Sequence, residues 1–261
     1  MQKGSKAAGL ASEPGFQTLK SRVYLALRDE ILSGTTPPGT RLVRRVLSQR
    51  LGVSPIPVIE ALHELEQDGL VESEPMFGHR VRELNVEAVR NDHILREAIE
   101  CQSARLCAQN ATAEQFQALE RQAEELDQAL KADPEGAAYS EKHLAFHLDV
   151  ARTTGYQALV DVLEKLWFRR LMVINTASTT VLGVPRNWHG LLVKALASRD
   201  PELAEKTMRE HVQYNVAQRL KLLEANEMAK SAHPRSAPTP RSGKRHESPS
   251  RRRPPAAGRR K

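Results

Sequence analysis

The chain has 261 residues, enough for one large domain or two modest ones, and 40% of them are apolar, which supports a packed core. Its formal charge is +7, yet Ala229 to Lys261 holds eleven Lys or Arg against the single acid Glu247, so the rest is net negative and the basic pI identifies no nucleic-acid-binding fold by itself. Two cysteines six residues apart exclude a disulfide framework, no apolar run reaches membrane-spanning length, and no signal-peptide core opens the chain, so the expected compartment is a reducing cytoplasm.

Residues 1–16 are rich in Gly, Ser and Ala and are expected to be disordered. Leu19 to Ser33 is a predicted amphipathic helix with Val23, Leu27 and Ile31 on one face, ended by Gly34 and the turn TTPPG. Arg44 to Leu51 and Pro55 to Asp68 are predicted helices joined by the turn LGVS. Gly52 supplies a backbone position that side chains resist, and Ser54 is the expected cap of the second helix. Pro55 and Pro57 are tolerated there because first-turn N–H groups are unpaired anyway. Val58, Ala61, Leu62 and Leu65 recur at helical spacing and Gly69 closes the helix. Leu70 to Ser73 and His79 to Arg82 read as two strands around the tip PMFG. Three helices and a two-stranded wing over residues 17–84 make a winged helix-turn-helix, the layout that sets a recognition helix in a DNA major groove.

From Val86 the pattern is helical, with six predicted helices near 86–110, 112–132, 137–153, 156–178, 186–198 and 200–226. Thr112 and Asp200 are expected caps. The fold class is therefore mostly α: a winged helix-turn-helix followed by an all-α antiparallel bundle of six to seven helices over 85–228. The Pro, Ser, Arg and Lys-rich stretch 229–261 has no apolar periodicity and is expected to be a disordered basic tail. Its charge suits nonspecific contact with DNA phosphates, or simple solubilisation.

These motifs together resemble the GntR family of bacterial transcription regulators, in its FadR-like branch with an FCD-type ligand-sensing domain. ILSGTTPPGTRL, LGVSPIPVIEALHELEQDGLVES and PMFGHRV are similar to the family's DNA-binding half. ILREAIECQSARLCA, HLAFH and WHGLLVKALASRDPELAEKTMREHV are similar to its sensing half. The resemblance implies a homodimer reading a palindromic operator in double-stranded DNA, with regulation, in the expected case repression, set by a small effector.

The family usually reads bases with two arginines on the third helix, where the guanidinium fork bonds guanine O6 and N7 together. Here those positions are Pro55 and Ile59, the neighbouring Thr position is Ile56, and the basic residue before the wing glycine is Phe77. An isoleucine can touch a thymine methyl but makes no bidentate contact. The expected DNA contacts are therefore Arg41, Arg44, Arg45, Ser54, His63, Gly78, His79 and Arg80, with Arg44 and Arg45 foremost. A solvated helix face is the plainer account of the same arginines.

His143 and His147 stand four apart on one predicted helix and so share a face, which lets two imidazoles reach one metal. A single helical histidine is more often an ordinary surface or core residue. The resemblance adds that the family's metal site is one Asp and three His. His147, His189 and His211 match the histidines and His143 stands at the Asp position, a four-His set suited to a divalent transition metal, Zn²⁺ or Ni²⁺. Arg96 and Glu100 are four apart, an ordinary intrahelical pair by spacing, but the resemblance places Arg96 against the effector's carboxylate. A small carboxylic acid is thus the expected effector. Two other functions remain open: a metal or metabolite sensor with weakened base reading, and, more remotely, a zinc-dependent hydrolase using Glu141, although HLAFH lacks the Glu of HExxH.

Overall fold

The computed structural model describes residues 18–75, 78–132, 137–177, 185, 187–214 and 216–232. The expected disorder of residues 1–16, the wing tip Met76 and Phe77, the breaks at Pro134–Gly136 and Gly183–Val184, and most of the basic tail lie outside the described residues.

Helix α1 spans Leu19–Leu32, and its start is set by Thr18, whose hydroxyl accepts the Ser21 N–H at 3.1 Å. Strand β1 is Arg41–Leu42, followed by α2 (Arg44–Leu51) and α3 (Pro55–Gln67). Gly52 ends α2 in the left-handed conformation at φ 67°, the role the turn required of it. Ser54 stands at the N-cap of α3 but its side chain makes no cap hydrogen bond. The third residue of that helix is Pro57, which has no N–H to offer, so the expected cap bond is absent and the hydroxyl is left exposed.

The wing differs from the expectation of two strands. It is a three-stranded antiparallel sheet in the order β1-β3-β2, with β2 Val71–Glu74 and β3 Gly78–Val81. Arg41 and Leu42 pair with Arg80 and His79, a long-range partnership two residues long. α1, α3 and the sheet enclose Val23, Leu27, Ile31, Val58, Leu62 and Leu65, all at most 2% exposed. Each such burial is worth about 1.5–3 kcal/mol.

The second half contains α4 (Val86–Asn110), α5 (Ala113–Ala132), α6 (Ala137–Arg152), α7 (Gln157–Ala177), α8 (Trp188–Ala197), α9 (Pro201–Gln213) and α10 (Val216–Ala232). Thr112 and Gln115 cap α5 reciprocally, at 3.2 and 2.8 Å. Asp200 accepts two N–H groups of α9 at 3.0 Å each. The single helix expected over 200–226 is two, because Tyr214 turns to ψ 126° and ends α9. The second of them, α10, runs on to Ala232, past the expected start of the tail at 229.

Helix α4 is the central post, packed against α6, α7, α8, α9 and α10. Helix α7 joins the two halves. Phe168 and Met172, 6% and 2% exposed, belong to the core of the winged domain. Lys165 Nζ donates to the Gln67 carbonyl at 3.3 Å, and Arg169 grips Asp92 with two bonds of 2.7 and 2.8 Å. Among the described residues no helix is long and apolar enough to cross a membrane.

Candidate metal centre and DNA-facing surface

Four histidines from three helices meet inside the bundle. α6 carries His143 and His147, α8 carries His189 and α9 carries His211. His143 Nε2 lies 2.9 Å from His147 Nε2 and 3.5 Å from His211 Nε2. Ligand atoms of His143, His189 and His211 lie within 4.8 Å of one another. His147, His189 and His211 are at most 7% exposed. Aromatic rings enclose the cluster: Tyr139 stacks on His143 at 5.2 Å, Trp188 on His211 at 5.0 Å, and Trp167 stands 5.1 Å from both His143 and His147.

Carboxylates behind the rings fix two of them. His189 Nδ1–H donates to Asp127 Oδ1 at 2.8 Å, which in the neutral ring leaves the lone pair on Nε2. That Nε2 is buried, and among the described residues no group hydrogen-bonds it. His147 Nδ1 lies 2.9 Å from Glu100 Oε2, which turns its Nε2 toward His143. This carboxylate–imidazole pairing is how metal-binding histidines are oriented and made more basic. Burial, and then the neighbouring imidazoles, push His143 and His211 well below the ordinary histidine value. Burial likewise lowers His147, with Glu100 opposing it. Burial thus favours the neutral, metal-ligating form of His143, His147 and His211. The residues fit a divalent transition ion: four imidazoles, an orphaned buried Nε2 and a preset tautomer.

Asp127 has a second duty. It also accepts the backbone N–H groups of His189 and Gly190, each at 3.1 Å, and so caps α8 from α5, a task the side chain of Asn187 does not perform. Burial raises the Asp127 carboxyl, but the bonds from His189 and Gly190 outweigh it and hold it below the usual range. Sequence reasoning missed this residue. The available signal was a charge on the buried stripe of Leu119, Ala123, Leu126 and Leu130. Asp127→Ala is expected to cost about 1 kcal/mol in urea unfolding through removal of the cap.

Arg96 and Glu100 are not an ordinary surface pair. They are 6% and 1% exposed, with Arg96 Nε 3.2 Å from Glu100 Oε1. Arg96 also donates to the Val212 carbonyl at 3.2 Å and lies over Trp167 at 5.3 Å. Glu100 is thereby committed to His147 and Arg96, a support for the cluster more than a direct effector contact. Arg96 borders a small cleft of about 60 Å³ that Arg169, Arg170 and His93 also line.

On the winged domain, Arg44, Arg45, Ser54 and His63 are exposed. Arg44 and Arg45 line an open groove with Gly78 between α2 and the wing. Arg41 and Arg80 both engage Glu74, which moderates their charge. His79 corrects the sequence expectation: its β3 position points inward beside Val81 and it is 1% exposed, so it makes no surface contact with DNA. Ile56, at the start of α3, is 66% exposed, an apolar tip suited to a thymine methyl.

Comparison with known proteins agrees with this architecture. The family "Bacterial regulatory proteins, gntR family" matches residues 19–81 and the FCD domain matches residues 93–214. The chain is 30% identical over 202 residues to the "Probable D-xylose utilization operon transcriptional repressor" of Paenarthrobacter nicotinovorans, covering 75% of this chain and 86% of that protein. It is 28% identical over 199 residues to the "HTH-type transcriptional repressor RspR" of Escherichia coli K12, covering 76% of this chain and 87% of that one. The solved structure of E. coli McbR/YncC shares the fold, with TM-score 0.67, 24% identity, and coverage of 79% of this chain and 99% of that chain. The winged helix-turn-helix, the helical domain behind it and these likenesses make the chain a DNA-binding transcriptional regulator of the GntR family with an FCD domain, and not an enzyme.

Proposed function

We propose that this regulator is a repressor whose helical domain senses a small carboxylic acid through a divalent metal held by His143, His147, His189 and His211. The observation that carries the reading is the convergence of His143, His189 and His211, with His147 beside His143 and with His189 Nε2 left without a hydrogen-bond partner among the described residues. A bound Zn²⁺ or Ni²⁺ would supply a Lewis-acidic position for a carboxylate oxygen. The chain's own part is to hold the four imidazoles in place, through Asp127 and Glu100, and to keep the buried Arg96 beside them. Two relatives named as repressors support the sign of regulation. A homodimer on a palindromic operator is the arrangement that a single reading helix per chain requires for a site of ordinary length.

Helix α7 is the route from sensor to reader. Trp167 stands against His143 and His147, while the next residue, Phe168, is packed in the core of the winged domain. A shift of α7 that accommodates a ligand on one side therefore moves the support of α1 and α3 on the other. Effector binding need only favour one of two α7 packings to alter operator affinity, and couplings of this kind run at about 1–3 kcal/mol.

The test is operator binding by the purified protein at fixed salt, with metal content measured in the same sample. Metal bound to the chain and a roughly 5–150-fold change in operator Kd on adding the cognate carboxylic acid are expected. His189→Ala with His211→Ala is expected to abolish both. An acid response that persists in this metal-free variant would overturn the reading. The exposed Pro55 and Ile56 at the start of α3 favour a second reading, a metabolite sensor with weak base discrimination. It is distinguished by equal affinity for operator and unrelated DNA.

A further inference from the structure

A second set of metal-ligating side chains lies in the winged domain, apart from the bundle. His63 and Glu66 are three residues apart on α3 and share a face. His79 meets them from β3, where the inward register that buries Val81 also buries His79. His79 Nε2 and His63 Nδ1 each lie 3.7 Å from Glu66 Oε2, and the ligand atoms of all three lie within 4.8 Å of one another. The two imidazoles stand edge to face at 5.7 Å.

His79 is the telling residue. It is 1% exposed, yet neither ring nitrogen has a hydrogen-bond partner. Buried polar atoms are ordinarily satisfied, and leaving one bare costs about 1–3 kcal/mol. The second oxygen of Glu66 accepts the Ser73 N–H at 3.1 Å, which aims the carboxylate at the two rings.

We infer that His63, Glu66 and His79 form a Zn²⁺-class divalent metal site that ties the recognition helix to the wing. Tetrahedral zinc with bonds near 2.0–2.2 Å holds its ligand atoms about 3.4 Å apart, so the 3.7 Å contacts close by only a few tenths of an ångström. His63 is exposed, so the fourth position faces water. The ion would satisfy His79 and cancel the Glu66 charge on a helix that approaches DNA phosphates. It would also fix the angle between the two DNA-reading elements. This site shares no residue with the bundle cluster and stands or falls independently of it.

The experiment is Zn²⁺ uptake by metal-free full-length protein, measured by elemental mass spectrometry after gel filtration. Wild type is expected to hold one equivalent per chain more than either His63→Ala or Glu66→Gln. The same deficit is expected when His189 and His211 are also replaced, which separates this site from the bundle. His63 is exposed, so its replacement leaves the fold intact, and matching urea curves check this. Zn²⁺ is further expected to tighten DNA binding by wild type and not by His63→Ala. Equal zinc content in wild type, His63→Ala and Glu66→Gln would overturn the inference.

Discussion

Glu100→Ala is expected to destabilise the metal-free protein by about 3–5 kcal/mol, read from the urea midpoint at constant slope. Glu100 is 1% exposed and is the counter-ion of Arg96, which is 6% exposed. Its removal leaves the guanidinium inside the bundle without its paired carboxylate, held by the Val212 carbonyl, the Trp167 face and the more distant charge of Glu97. A stranded buried charge is among the few single changes able to reach this magnitude. Arg96→Met in the Glu100→Ala background is expected to recover much of the loss, because the charge that had no partner is gone. A loss under about 1 kcal/mol for Glu100→Ala would mean that water reaches Arg96.

The pair also predicts an acid response. Burial pushes the Glu100 carboxyl up, but His147 and Arg96 outweigh it and bring it to about 2. A glutamate carboxylate in the unfolded chain titrates near about 4.3. The stabilisation is therefore complete above that value and disappears as pH falls toward 2. Wild type should show this loss between roughly pH 4 and 2, and Glu100→Ala should show less of it.

Much of this is legible in the sequence, and the reasons for the exceptions are physical. Helices α2 and α4 fall on the expected residues because Gly52, and the long apolar period after Asn85, are local signals. The four histidines likewise stand out by spacing and motif, and the bundle brings them together. What failed was long-range. Strand β1 exists only because β3 lies beside it, and two residues carry no period of their own. The break at Tyr214 has neither Gly nor Pro to announce it. Asp127 falls on the buried stripe of α5, but its partner His189 stands 62 residues away on α8. His79 reads as a wing-surface cation until the register of β3 turns it inward. Phe168 and Met172 lie on a predicted bundle helix, yet they join the core that α1 and α3 build.

Arg44→Ala with Arg45→Ala is expected to weaken DNA binding more than any other pair of substitutions in the winged domain. The two open α2, where the N-cap residue Val43 offers no side-chain cap bond, so the first N–H groups of the helix are open to a phosphate. They border the groove toward Gly78, and Glu74, the acid in that groove, is already engaged by Arg41 and Arg80. Positive side chains at a helix N-terminus oppose the helix dipole, so replacing them should leave stability unchanged or raise it by a few tenths of a kcal/mol. A fall in binding then reports the interface and not the fold. If the arginines bond phosphates, binding weakens on every sequence and the salt slope shrinks by about 0.9 for each phosphate no longer neutralised. If one reads a base edge, its removal costs about 1–3 kcal/mol and the effect is confined to one operator position. Pro55 and Ile59 cannot supply a bidentate contact from α3, so base reading falls to α2, Ser54, the apolar tip at Ile56, His63 or the wing. Unchanged operator affinity in the double variant would remove α2 from the interface and leave sequence reading to Ser54, Ile56, His63 and the wing.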